Sequence, residues 1–261
     1  MINVAVIGAS GRMGREVCGS VFEDPELQLM GAVDPASPGE ETPLELVKAG
    51  ITVLPVRDDL DTGTIDVMVD FTRADAAVEN ISWATDNGIH SVVGTTGITE
   101  PDMKRISGLA DSGKANIVLA ANFALGAVLM MKFSETAARV FDQCEIVEMH
   151  HRGKLDAPSG TAIETAKRVG NVSGEDRIPP ADERKVKGSR GGRLGDVQIH
   201  SVRLNGLVAH QEVIFGSSGQ TLRIRHDTIE RSCFMPGVLI AIKKVGSTPG
   251  LTIGLEPLLD I

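Results

Sequence analysis

A doubly wound α/β fold with a mostly parallel sheet, followed by a second α+β domain on a mixed or antiparallel sheet, is the architecture this sequence predicts. Three observations carry it. Short β-branched runs alternate with helical patterns through the first half of the chain. A glycine-rich turn follows directly on the first of those runs and opens a helical pattern. After Asn122 the pattern changes, and later strands follow one another without intervening helices.

Taken in order, INVAVIG (2–8), LQLMGAVD (27–34), IDVMVDF (65–71), HSVVGTT (90–96) and ANIVLAAN (115–122) read as the strands of the first domain. Residues 11–22, 74–87 and 101–112 read as the helices between them. A helix over 124–140 then leads into CEIVEMHHR (144–152). DVQIHSVRL (196–204) and LVAHQEVIF (207–215) flank Asn205-Gly206, a strong two-residue hairpin signal. LRIRHDT (222–228) follows the Ser-Ser-Gly-Gln turn at 217–220. The expected boundaries are residues 1–122 for the first domain and 123–231 for the second.

With 261 residues and 42% apolar content the chain can bury a sizeable core. Its net charge of -9 disfavours nucleic acid and anionic lipid as partners, so any anion site must be local. The basic, glycine-rich stretch ERKVKGSRGGRLG (183–195) reads either as a solvated loop or as a lid over an anionic ligand. With 3% aromatic residues the chain has few platforms on which bases could stack. Cys18, Cys144 and Cys233 are widely separated and lack CxxC spacing, which suits a reducing cytoplasm. The longest near-apolar run, 117–131, is broken by Asn122, and no targeting or membrane-spanning segment is expected.

IGASGRMG (7–14) places Gly8, Gly11 and Gly14 in a GxxGxxG pattern between a strand and a helix. A helix start presents amides and a positive dipole end to an anion, and Asp34 lies twenty residues beyond Gly14 at the end of the second strand. That context points to dinucleotide binding, with Asp34 accepting from a ribose 2'-hydroxyl. Pro35 offers no cation to a 2'-phosphate, so NADH is the expected coenzyme; NADPH stays open through Arg12 or Arg15. Gly94-Thr95-Thr96-Gly97 and Ala120-Ala121-Asn122-Phe123 end two further strands at the same sheet edge and read as nicotinamide or ribose contacts, or as ordinary βα turns.

The densest chemistry lies in EMHHRGKLDAPSGTA (148–162). Neighbouring side chains on a strand point to opposite faces, so His150 and His151 cannot both face one site unless the strand ends there. No other histidine shows the spacing of a metal set, and no metal is expected; surface histidines are the plain alternative. Lys154 adds a cation, and Thr161 with Glu164 fits a capping box that would open a helix. Histidine for proton transfer, lysine for charge and helix-start amides near Gly160 and Thr161 together point to a carboxylate-bearing substrate.

This stretch resembles the signature of the 4-hydroxy-tetrahydrodipicolinate reductase family, also called dihydrodipicolinate reductase, of lysine and diaminopimelate biosynthesis. GASGRMG, DFT (70–72), GTTG, AANFALG (120–126) and the region 188–226 extend the resemblance over nearly the whole chain. It implies a Rossmann-like first domain completed by residues 232–261, and a substrate domain whose sheets assemble a homotetramer. It implies His150 as proton donor or acceptor and Lys154 as the second catalytic cation, with His151, Gly160 and Thr161 on the substrate carboxylates. The coenzyme would be lined by Gly8, Ala9, Ser10, Gly11, Arg12 and Met13, by Asp34, by Gly94, Thr95 and Thr96, and by Ala120, Ala121, Asn122 and Phe123. The implied reaction is hydride transfer from NAD(P)H to a cyclic unsaturated dicarboxylate with net loss of water.

Two competing functions follow from the residues. A dehydrogenase acting on a small-acid aldehyde is one, and its phosphorylating form would need an activated cysteine, for which Cys144 has no evident setting. A catalytically silent NADH sensor that binds a partner or DNA is the other; it would keep the glycine loop but have no use for His150 and Lys154 together.

Overall fold

The computed structural model describes residues 1–35, 44–172, 185–259 and 261. The chain divides into two compact units, Met1–Ala124 with Arg231–Ile261, and Leu125–Glu230.

The first unit contains β1 (Ile2–Ile7), α1 (Arg12–Glu23), β2 (Leu27–Val33), α2 (Leu44–Ala49), β3 (Val53–Leu54), β4 (Val67–Asp70), α3 (Ala74–Asp86), β5 (His90–Val93), α4 (Glu100–Asp111) and β6 (Ile117–Leu119). The expected strands and helices of the first half are present within a few residues; α2 and β3, too short for a periodic signal, were not anticipated. Every pairing in this sheet is parallel, in the order β3-β2-β1-β4-β5-β6, with a last strand from the chain's end outside β6. Successive strands run outward in both directions from the β1/β4 junction, so the crevice of this doubly wound sheet lies beyond Ile7 and Asp70. Its core includes Ile7, Met68, Ile81, Val93, Ile106 and Ile117, drawn from strands and from α3 and α4.

The second unit contains α5 (Leu125–Ala137), β7 (Gln143–His150), α6 (Gly160–Val172), β8 (Gly192–Leu194), β9 (Val197–Arg203), β10 (Ala209–Ser217) and β11 (Gln220–Thr228). Its mixed sheet has the order β11-β10-β7-β9-β8. The core takes Cys144, Ile146, Val197, Ile199, Val213 and Phe215 from one face of the sheet, packed on Met130, Ala162, Ala166 and Val169 of α5 and α6. The other face carries Val147, Met149, Val202 and Ile214, each half-buried.

Two expectations fail here for physical reasons. Asn205-Gly206 does form a turn, with Gly206 at φ +87°, yet β9 and β10 do not pair. They lie on opposite sides of β7, parallel and antiparallel to it respectively. The connection crosses the end of β7, where Leu204 N–H donates to His150 O and His151 N–H donates to Val208 O. The hairpins of this sheet are β8–β9 through Gly195-Asp196 and β10–β11 through Ser218-Gly219. The basic stretch 183–195 lies partly outside the described residues, and its second half is exposed, as expected, but forms a short edge strand rather than only a loop. Gly192–Leu194 pairs with β9, and Arg190 is bonded to Glu145.

The chain then returns to the first unit through α7 (Met235–Val245), β12 (Leu251–Ile253) and α8 (Glu256–Leu259), and β12 pairs in parallel with β6. No helix among the described residues is long and apolar enough to cross a membrane.

Candidate active site

The expected coenzyme residues follow the carboxyl ends of strands in the first unit's sheet, with Arg12 and Met13 in the first turn of α1. Gly8 has φ +81°, a conformation open to glycine, and its N–H donates to Val33 O. A Cβ on Gly14 would lie 2.0 Å from Gly8 O, so the closeness of α1 to the turn demands glycine there. Gly11 is the N-cap of α1 and contributes no side-chain cap, which leaves the first-turn amides at Arg12 and Met13 without a side-chain acceptor from that position. Asp34 is buried beside this turn, and its Oδ2 accepts from Ser10 N–H at 3.0 Å.

The GTTG turn is held from below. Asp70 is fully buried and accepts from Thr72 N–H, Thr72 Oγ1, Thr95 Oγ1 and Asn80 Nδ2 at 2.6–3.0 Å. Thr95 therefore turns its hydroxyl into the protein. Ala9, Ala120 and Phe123 are buried likewise, and Phe123 packs on Phe71 with ring centroids 5.6 Å apart. These positions offer backbone to a ligand, whereas Arg12, Thr96 and Ala121 are exposed and Ser10, Met13, Gly94 and Asn122 are half-buried.

In the second unit β7 ends at His150, so His151 leaves the strand and is exposed. Glu148 and His150, two apart on β7, share one face, and His150 Nδ1 lies 2.5 Å from Glu148 Oε2. Arg203, opposite His150 in the β7–β9 register, donates from Nη1 and Nη2 to the two oxygens of Glu148 at 2.8 Å each. Its Nη2 also donates to Asp156 O at 2.7 Å, and Lys154 Nζ is paired with Asp156 Oδ2 at 2.8 Å. A continuous set of polar contacts thus joins His150, Glu148, Arg203, Asp156 and Lys154. Burial pushes the Glu148 carboxyl up, and hydrogen bonds from His150, Arg203 and Ser201 overcome that effect and leave it at about 2. Lys154 holds the Asp156 carboxyl below its ordinary value despite some burial.

The expected capping box is displaced. Ser159, not Thr161, caps α6: its Oγ accepts from Ala162 N–H at 3.2 Å, and Glu164 instead pairs with Arg168 one turn on. Gly160 and Thr161 consequently form the first turn of α6, at its positive dipole end. Among the described residues, a Cβ on Gly160 would meet nothing within 4 Å beyond its chain neighbours and its own helix backbone.

Glu148, Arg203 and Asp156 were not singled out from sequence. The i, i+2 spacing of Glu148 and His150 on a strand was a usable signal, but nothing local joins Arg203 to a residue 55 positions earlier. Among the described residues no group of three or more His, Cys, Asp or Glu is placed to hold a metal ion. Cys144 is packed into the second unit's core, a poor setting for a nucleophile.

Two family models cover the chain: residues 2–123 match the dihydrodipicolinate reductase N-terminus, and residues 126–259 match its C-terminus. The chain belongs to the dihydrodipicolinate reductase family. Two of its relatives in that family are named 4-hydroxy-tetrahydrodipicolinate reductase. That of Syntrophomonas wolfei is 46% identical over 98% of both chains. That of Nocardia farcinica is 44% identical over 100% of this chain and 99% of its own. The solved dipicolinate-bound dihydrodipicolinate reductase from Paenisporosarcina sp. is 37% identical, with a TM-score of 0.87 over 98% of this chain and 99% of that one.

Proposed function

We propose that this chain reduces 4-hydroxy-tetrahydrodipicolinate with NAD(P)H, giving tetrahydrodipicolinate with net loss of water, in lysine and diaminopimelate biosynthesis. The observation that carries the reading is the β7–α6 segment, which places a carboxylate-bonded histidine, a lysine and a helix start within eleven residues, 150–160. The full-length match to relatives of that name and to a dipicolinate-bound structure supports the same chemistry.

The first unit suits the coenzyme: the Gly8–Met13 turn and start of α1 would hold the pyrophosphate, and Asp34 the adenosine ribose. The bound dihydronicotinamide supplies the hydride. Gly160 and Thr161 amides, with His151, would take the substrate carboxylates, and the open space at Gly160 lets a ligand approach the backbone. His150 delivers the proton to the carbon next to the reduced one, and Lys154, exchanging Asp156 for substrate, stabilises the charge that builds on the ring and carboxylate. The acid Asp34 followed by Pro35 favours NADH; NADPH would rely on the exposed Arg12 or Arg15.

We also assign the second unit's outer sheet face, with Val147, Met149, Val202 and Ile214, to assembly of a homotetramer, so light scattering should give four chains; a monomer at micromolar concentration refutes this. Three widely separated cysteines that lack CxxC spacing fit a cytoplasmic enzyme. The reaction is tested by following NADH loss on addition of the aldol product of pyruvate and aspartate semialdehyde. No turnover there, or turnover of the aldehyde alone, would overturn the reading.

A further inference from the structure

We infer that Glu148 and Arg203 are positioning residues for this site: the buried carboxylate selects which nitrogen of His150 exchanges protons, and the arginine fork fixes both that carboxylate and the loop bearing Lys154. The inference deepens the proposed reduction and rests on it for the roles of His150 and Lys154.

A carboxylate at about 2 is ionised at any working pH and only accepts hydrogen bonds. Glu148 Oε1 accepts from Arg203 Nη2 at 2.8 Å and from Ser159 N–H at 3.3 Å. Its Oε2 accepts from Arg203 Nη1 at 2.8 Å and faces His150 Nδ1 at 2.5 Å. With no proton on the carboxylate, the proton of that last contact belongs to Nδ1. Nε2 is then the nitrogen left to give a proton to substrate and recover it, as in other histidines held by a buried acid.

A buried ion pair is by itself weak evidence of a role, since apolar residues often replace one without loss. This pair differs because it points outward to working groups. Glu148 is fully buried, while the side chain of His150 keeps 14% exposure and that of Lys154 22%. Arg203 donates to four oxygens: both of Glu148, Val202 O and Asp156 O. The last bond pins the residue whose carboxylate holds Lys154, so one guanidinium sets the position of both catalytic groups. Lysine has the charge but lacks the fork needed to reach four acceptors in these directions.

Two substitutions separate the two parts of the inference. In Glu148→Gln the amide NH2 replaces one oxygen. At the Oε1 position it would face two fixed donors, Ser159 N–H and Arg203 Nη2. At the Oε2 position it faces Arg203 Nη1 and a ring nitrogen that can become an acceptor. The second placement is the better one, and it moves the neutral ring's proton to Nε2. The doubly protonated acid form would then meet a donor at Nδ1, and proton delivery should fail.

The experiment is heteronuclear NMR on protein carrying isotope-labelled histidine, with His150 assigned by its loss in His150→Gln, read at a pH where the ring is neutral. The wild type should show Nδ1–H, and Glu148→Gln should show Nε2–H with kcat reduced about 100-fold or more and NADH binding unchanged. Arg203→Lys should keep Nδ1–H, because Glu148 stays ionised, but lower kcat about 10-fold or more, because the loop that presents Lys154 is no longer pinned through Asp156 O. An Nε2–H wild type, or a folded Glu148→Gln with wild-type tautomer and turnover, overturns the role of Glu148. Unchanged kinetics in Arg203→Lys overturn the role of Arg203. If Glu148→Gln does not fold, the wild-type tautomer still decides. Wild-type Nδ1–H with no turnover of the proposed substrate would support the positioning and refute the reaction.

Discussion

Replacing Gly14 and Gly160 by alanine, one at a time, separates a glycine the fold requires from one the ligand requires. An ideal Cβ at Gly14 would lie 2.0 Å from Gly8 O, 2.7 Å from Gly8 C and 2.8 Å from Ala9 Cα. Contacts of this kind do not fall below 3.0 Å, so α1 and the turn must part by about 1 Å. Overpacking typically costs about 1–3 kcal/mol, and here the upper end is expected because the opposing atoms are backbone. At about 2–4 °C per kcal/mol for a chain of this size, the first unit should melt about 5–10 °C lower. The displaced turn is the one assigned to pyrophosphate, so NADH affinity should fall about tenfold or more. At Gly160 an added Cβ has, among the described residues, nothing within 4 Å beyond its chain neighbours and its own helix backbone. Alanine there should leave melting unchanged or slightly raised, while KM for substrate rises about tenfold with kcat retained. Calorimetry, fluorescence titration with NADH and steady-state kinetics read these outcomes. A Gly14→Ala protein that melts and binds NADH as wild type refutes the steric reasoning, and an unchanged KM in Gly160→Ala refutes the anion site.

Three further outcomes are expected. His150→Gln should lower kcat about 100- to 10,000-fold with NADH binding intact, Lys154→Ala should cost a similar factor, and the double variant should fall short of their product if both serve one step; near-full turnover of saturating substrate by His150→Gln would make His151 the candidate acid. Asp34→Ala should weaken NADH and strengthen NADPH in paired titrations, and a wild-type preference for NADPH would shift attention to Arg12 or Arg15. The Glu148 carboxyl is depressed from 4.5 to about 2 in the fold, so its contribution to stability is complete above 4.5 and is lost as pH falls from there towards 2. Denaturant melts at pH 6, 4 and 3 should therefore, for the wild type, decline more steeply than for Glu148→Gln; parallel declines would count against the depressed value.

What sequence could show and what it could not divide along physical lines. Parallel strands such as Val67–Asp70 are buried throughout and stand out as short apolar runs between helical patterns, so the first unit's alternation was legible. The turn at Asn205-Gly206 was legible too, but a turn specifies only a local reversal. Which strand Ala209–Ser217 joins is decided by β7, some sixty residues earlier. At α6 two overlapping cap patterns competed, and Ser159 won over Thr161 because its hydroxyl reaches the amide three residues on. His150 and Lys154 were visible because their chemistry is compressed into one short stretch at the end of β7. Glu148 was not, because a carboxylate reads as a surface residue until a partner such as Arg203 is brought beside it by the sheet.

The place of β7 between two later strands bears on how the chain is made. Glu145 has to wait for Gln198 on one side and Ile214 on the other, and His150 for Arg203 and then Ala209, before they gain their cross-strand neighbours. Until then both edges of β7 are open to mispairing with other chains. All of the second unit has nonetheless left the ribosome once Glu230 emerges, whereas the first unit still lacks Leu251–Ile253, the strand that pairs with β6. Synthesis from the N-terminus therefore lets the inserted unit finish its sheet first, and the unit that was begun first is the last to close.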